Sequence, residues 1–182
     1  PLSDTLLTVA QLGEFGLISR LARLIDGGRR DPLQPESTGT IGIGDDAALW
    51  TPRPGFREVL TTDAHSEDVH FRHSTTSWRD LGWKMLAENV SDIAAMGGRP
   101  RAAVVALALD ARVRLDWLEA FYRGLAAVSR RFAVPLVGGD VAQNQGGIVA
   151  TLTLVGEAGP RVLTRAGAKA GDWIYVTGQL GG

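Results

Sequence analysis

The stretch Ile148 to Val155, "IVATLTLV", sets apolar Ala150, Leu152 and Leu154 against the threonines Thr151 and Thr153. Successive side chains of a strand point to opposite faces, so this alternation predicts a strand whose sheet has one face in the core and the other face elsewhere. Upstream, Arg101 to Leu109, "RAAVVALAL", is a near-continuous apolar strand, and Pro135 to Gly138 is a shorter one that ends in Gly139-Asp140. Arg57 to Asp63, "REVLTTD", reads as a strand ending in polar residues, followed by a loop that holds all three histidines. Between and before these lie three helices. Gln11 to Asp26 places Leu12, Phe15, Ile18, Leu21, Leu24 and Ile25 at helical spacing; Ser77 or Trp78 to Met96 has Leu86, Val90 and Ile93 on one stripe and stops at Gly97-Gly98; the third spans about Leu115 to Arg131. Short strands are expected at Ile41 to Ile43 and Ala47 to Trp50, around a glycine turn. Strands set partly as hairpins and partly apart by helices predict an α+β fold, a mixed sheet flanked by helices.

The 182 residues are enough for one well-buried domain, or one domain and part of a second, and 45% hydrophobic with 21% charged residues is ordinary for a globular protein. A net charge of -1 gives no broad basic surface, so nucleic acid is not an expected partner. No apolar run is long enough for a membrane span, and "PLSDTLLTVAQLGEF" has neither a basic n-region nor a compact apolar core, which together point to a cytoplasmic protein. With no cysteine, disulfides, thiolate zinc sites and thiol nucleophiles are excluded, and any metal must be held by oxygens or imidazoles. Glycines number 23 and gather in pairs at segment ends, at 27-28, 97-98, 138-139, 146-147 and 181-182, where the chain turns sharply or approaches a ligand.

The stretch Gly42 to Leu49, "GIGDDAAL", places Asp45 and Asp46 in a glycine turn. Gly42-x-Gly44-x-x-Ala47 imitates a dinucleotide fingerprint, but that motif must open a helix, and here Pro52 and Pro54 follow a short apolar run. Two aspartates would also repel the phosphates, and no P-loop pattern occurs anywhere. Magnesium reverses the repulsion, because it takes one or two carboxylates together with phosphate oxygens. Carboxylates stand ready at the ends of elements: Asp45-Asp46, Asp63 of "LTTD", Asp92 of "NVSDIAAMGG" and Asp140 of "VGGD". Taken singly, each is as well explained as a cap or turn former. Asp92 stands out, since a negative charge in the last turns of a helix opposes the macrodipole. The spacing of His65, His70 and His73 fits no common zinc pattern; a single histidine at a substrate, oriented by Asp68, is the better reading. Trp78, Trp83, Trp117 and Phe121 read as packing residues.

In this order, "GEFGLISRL", "GIGDDAAL", "LTTD" followed by "HF", "NVSDIAAMGGRP", "VGGD" and "LTRAGAKAGDWIYVTGQLGG" resemble the thiamine-monophosphate kinase family, in the superfamily that includes aminoimidazole ribonucleotide synthetase. The resemblance runs from about Leu12 to Gly182. It implies an N-terminal ATP-binding domain whose sheet pairs with a second copy in a barrel-like homodimer interface. The implied reaction moves the γ-phosphoryl group of ATP to thiamine monophosphate, with several Mg²⁺ ions and no P-loop. Asp46, Asp45, Thr62, Asp63, Asp92 and Asp140 would hold metal. Gly139, Asp140, Arg165 and Tyr122 would lie at the nucleotide, and His70 at the thiamine phosphate.

Residues 1–158 are then expected to form the ATP- and Mg-binding dimerisation domain. Residues 159–182 would be a connector plus the first strand, at Trp173 to Val176, of a C-terminal domain otherwise absent, so the chain reads as a fragment. Two alternatives stay open. One is another ATP-dependent member of the superfamily, such as selenide water dikinase, whose usual N-terminal Cys or selenocysteine is lacking here, or the synthetase. The other is a non-catalytic nucleotide-binding or dimerisation module.

Overall fold

The computed structural model describes residues 7–26, 42–43, 47–110, 112–176 and 178. Three helices, α1 (Val9–Asp26), α2 (Trp78–Ala95) and α3 (Leu115–Phe132), accompany four strands, β1 (Arg57–Ser66), β2 (Gly98–Leu109), β3 (Leu136–Gln143) and β4 (Val149–Ala158). The sheet order is β1-β4-β2-β3. β4 runs antiparallel to both of its neighbours, and β2 and β3 are parallel. The parallel pair is joined through α3. β1 and β2 are joined through α2, with β4 inserted between them, so the sheet is mixed and the fold α+β, as the sequence predicts.

Alternation along β4 decides which face is covered. Ala150, Leu152 and Leu154 are buried together with Ala103, Val105 and Leu107 of β2, under the helices. Burial of a leucine is worth about 1.5–3 kcal/mol, so this shared face fixes the register. The opposite face carries Leu60, Thr62, Ala64, Val104, Ala106, Thr151 and Thr153, exposed or half-buried. Each helix has a local reason for its ends. Ser77 caps α2 by accepting from the Asp80 N–H at 3.1 Å, and Gly97 at φ +72 follows its last turn. α3 ends at Ala133 in the left-handed region. The helices α2 and α3 meet where Gly82 faces Phe121 and Gly124 faces Arg79, too close for any side chain.

Three expectations need correction. β1 runs on to Ser66, so His65 belongs to a strand, not to the loop, because its ring buries beneath α2. β3 continues through Gly139 and Asp140 to Gln143, because the parallel pairing with β2 extends that far. Trp173 to Val176 forms no strand: none of the described strands pairs with it, and Trp173, Ile174 and Tyr175 stand 85%, 93% and 85% exposed. Around the glycine turn, Ile43 and Leu49 make only isolated bridges.

Candidate functional site

Along β1 the side chains of Thr61, Asp63 and His65 turn toward the helices, while those of Thr62 and Ala64 turn to the open face. On α2, Lys84, Glu88 and Asp92 recur every fourth residue and so form one row. The two rows meet at two points. The Thr61 hydroxyl donates to Asp92 Oδ2 at 2.8 Å, and His65 Nε2 lies 3.0 Å from Glu88 Oε2. Asp63, Ala64, His65, His70, Lys84, Glu88 and Asp92 line an open basin of about 420 Å³. It is strongly polar: three carboxylates, Asp63, Glu88 and Asp92, share it with two imidazoles and the Lys84 ammonium, and Glu88 lies between His65 and Lys84.

Local contacts fix several of these groups. The turn after β1 brings the Ser66 N–H to His70 Nδ1 at 3.1 Å, which leaves the ring proton of neutral His70 on Nε2. The rings of His65 and His70 lie 5.9 Å apart. Burial pushes the His65 imidazole below its ordinary value, against the opposing pull of Glu88. Burial thus favours the neutral form of His65, whose Nε2 faces Glu88 and whose buried Nδ1 has no hydrogen-bond partner in the protein. Asp92, so badly placed for the helix dipole, finds its compensation in the Thr61 hydroxyl of the facing strand.

The remaining sequence-predicted residues scatter. The Thr62 hydroxyl donates to the Leu152 carbonyl at 3.1 Å and lies 3.0 Å from that of Thr153, on the open face. Asp63 shares a row with Leu152, Val105 and Gly139, whereas Asp140 shares the next row with Ala64, Thr151 and Ala106, on the open face. β1 and β3 are opposite edges of the sheet, three strand spacings or about 14 Å apart, so the Asp63–Asp92 pair and Asp140 do not meet within one chain. Gly139 has a packing reason of its own: a Cβ there would lie 2.1 Å from the Val105 carbonyl oxygen. Tyr122 is buried in the core against Phe121, and burial pushes its phenol up. Arg165 is exposed in a 3-10 turn, on a segment tied to the end of α2 by the Leu163 N–H on the Met96 carbonyl at 3.1 Å. Asp45 and Asp46 lie outside the described residues.

His73 stands apart from the basin. It stacks on Trp78 with ring centroids 4.5 Å apart and sits 3.3 Å from Glu67 Oε1, so the three histidines do not converge. Among the described residues no three histidine or acidic side chains are arranged to hold a metal ion. Asp63 and Asp92 as a pair still suit magnesium, which completes its octahedron with water and phosphate oxygens. Thr61, Lys84 and Glu88 escaped the reading of the sequence, and His65 was named there without a role of its own. The signal for Thr61 was available, since the period of two that puts Asp63 under α2 puts Thr61 there as well.

Residues 44–158, more than half of the chain, match the family model for the AIR synthase related protein, N-terminal domain. The chain belongs to the AIR synthase related family. This AIR synthase related domain is 39% identical over 146 residues to the thiamine-monophosphate kinase of Bacillus subtilis, an overlap covering 80% of this chain and 45% of the relative. The crystal structure of thiamine-monophosphate kinase from Stenotrophomonas maltophilia superposes with a TM-score of 0.65 at 38% identity, covering 84% of this chain and 45% of that one. A further structure, AaThiL complexed with AMPPCP and TMP, gives a TM-score of 0.55 at 30% identity over 83% of this chain and 44% of that one. The chain spans about half the length of the curated relatives it matches. Asp63, Asp92 and Asp140 all fall inside the matched segment. Among the described residues no helix is long and apolar enough to cross a membrane.

Proposed function

We propose that the protein carrying this domain transfers the γ-phosphoryl group of ATP to thiamine monophosphate, giving thiamine diphosphate and ADP. The observation that carries the reading is the basin itself. Asp63 of a strand and Asp92 of a helix line it together with imidazole groups and the Lys84–Glu88 pair, within the segment that matches the family. Phosphoryl transfer needs alignment and neutralisation of spreading charge more than covalent chemistry from the protein. Bound Mg²⁺ would supply that neutralisation at the phosphates. Asp63 and Asp92 would hold metal, and Thr61, by occupying Asp92 Oδ2, leaves Oδ1 of that carboxylate for it. His70 would offer its Nε2–H to the acceptor phosphate. Because the acceptor is already an ionised phosphate, no strong general base is required.

Asp46, Asp45, Thr62 and Asp140 are proposed as further metal-holding residues, and Gly139 and Arg165 as nucleotide contacts. Buried Tyr122 would act only by shaping the core beneath them. The protein is proposed to work as a homodimer. Both edges of the sheet, β1 and β3, are unpaired among the described strands, and its open face is rich in small and threonine side chains. Closing two such sheets into a barrel would set the β1 edge of one copy beside the β3 edge of the other, so that Thr62 and Asp63 meet Gly139 and Asp140 across the interface.

The test is turnover of thiamine monophosphate by the full-length protein with ATP and Mg²⁺, against Asp92→Asn and Asp46→Asn. Loss of turnover by orders of magnitude in both variants, with the fold retained, is expected. Magnesium-dependent binding of an ATP analogue without any turnover would replace this reading by a nucleotide-binding module.

A further inference from the structure

The basin holds a residue that neither the resemblance nor the Asp63–Asp92 pair accounts for. Lys84 stands one turn before Glu88 and two before Asp92 on the same row of α2, in the basin that also holds His70. Its ammonium lies 3.5 Å from Glu88 Oε1, while the other oxygen of Glu88 is 3.0 Å from His65 Nε2. Holding a carboxylate by one oxygen fixes where the other points, so the buried imidazole sets the direction in which Glu88 faces Lys84.

This arrangement is expensive for its contribution to stability. His65 is 5% exposed and its Nδ1 is left without a partner in the protein, where an apolar side chain of similar size would fill the same space without that desolvation. Polar groups kept at such cost are expected where a site needs a fixed geometry. An exposed i,i+4 ion pair explains Lys84 and Glu88 by themselves; it does not explain why a buried histidine braces the far oxygen.

We propose that Lys84 binds the phosphate of the acceptor substrate, and that His65 and Glu88 are positioning residues that hold its ammonium over the basin. The proposal rests on the phosphoryl-transfer reading given above. An anion entering the basin meets Asp63 and Asp92 at one end, where a cation must intervene, and it keeps negative charge on the end turned away from them. Lys84 and His70 line the same basin, and the ammonium, with Glu88 Oε1 at 3.5 Å on one side, keeps further N–H donors for the phosphate. An ammonium is a compact charge with three donors and suits a phosphate without demanding a fixed plane of approach.

The experiment is steady-state kinetics of the full-length protein, varying thiamine monophosphate and ATP separately in the presence of Mg²⁺, for the wild type, Lys84→Gln, Lys84→Arg, Glu88→Gln and His65→Leu. Lys84→Gln should raise KM for thiamine monophosphate roughly ten- to hundredfold, the usual effect of losing a charge-assisted hydrogen bond, and leave KM for ATP within about twofold. Lys84→Arg should recover part of that loss. Glu88→Gln and His65→Leu should shift KM for thiamine monophosphate in the same direction by less, with thermal stability of His65→Leu unchanged or raised. A purely structural ion pair would move neither KM. The proposal is overturned if the wild type turns over and Lys84→Gln keeps its KM for thiamine monophosphate, an outcome that leaves the phosphoryl-transfer reading standing. A folded wild type with no turnover of thiamine monophosphate overturns both.

Discussion

Gly124→Ala is a demanding test of the packing that positions the basin. A Cβ at Gly124 on α3 would lie 2.0 Å from the Arg79 carbonyl oxygen and 2.7 Å from the Trp83 nitrogen, both backbone atoms of α2. Ordinary contact begins near 3.4 Å, so the two helices must part locally by about 1.4 Å. On an exposed helix the same change would stabilise by about 1 kcal/mol through helix propensity. Overpacking costs about 1–3 kcal/mol, and a clash with backbone, which cannot change rotamer, belongs at or beyond the top of that range. The net expectation is a loss of about 2 kcal/mol. With a urea dependence of about 2 kcal/mol per molar, the unfolding midpoint should fall by about 1 M, followed by tryptophan fluorescence. Gly146→Ala is the control, since a Cβ there meets nothing within 4 Å. Because α2 carries Lys84, Glu88 and Asp92 as one row, Gly124→Ala should also weaken catalysis by displacing that row from β1. An unchanged midpoint would refute the close crossing of α2 and α3.

Thr61→Val deletes the hydroxyl that orients Asp92, and turnover in the full-length protein should fall about tenfold with little change in melting temperature, in line with one lost hydrogen bond to a charged group. Asp63→Asn and Asp140→Asn should each be inactive alone. If the site is shared between two copies, unfolding and refolding them together at equal amounts should restore about a quarter of wild-type activity, because half of the dimers would hold one intact site; no recovery would refute a site shared across the dimer. Asp116, at the first turn of α3, accepts from Arg114 Nε and Nη2 at 3.0 and 2.7 Å, and chiefly this pairing holds its carboxyl below the usual range. Its stabilising contribution is therefore present above the ordinary carboxylate pKa and lost as pH falls through the lower folded value, so Asp116→Asn should flatten the acid limb of a melting curve by of order 0.5 kcal/mol at this partly exposed pair, as read by thermal melts from about pH 6 to about pH 2.

The sequence by itself determined the elements and the sidedness of the sheet. Alternation in "IVATLTLV" named the buried row Ala150, Leu152 and Leu154, and Ser77 before "WRDLGWKML" with Gly97-Gly98 after it bounded α2, because periodicity and capping are local physics. Asp63 and Asp92 were legible too, one as a polar end to an apolar strand and the other as a charge in the wrong place on a helix. What only the tertiary structure decided is which strands are neighbours and which side chains meet. The order β1-β4-β2-β3 sends Asp63 and Asp140 to opposite edges, although both had read simply as acids at strand ends. The partnership of Thr61 with Asp92 and of His65 with Glu88 spans 31 and 23 residues of chain, respectively, and no local pattern encodes it. It arises because α2 packs along β1, which brings one row of the helix, Lys84, Glu88 and Asp92, against the strand that carries Thr61, Asp63 and His65.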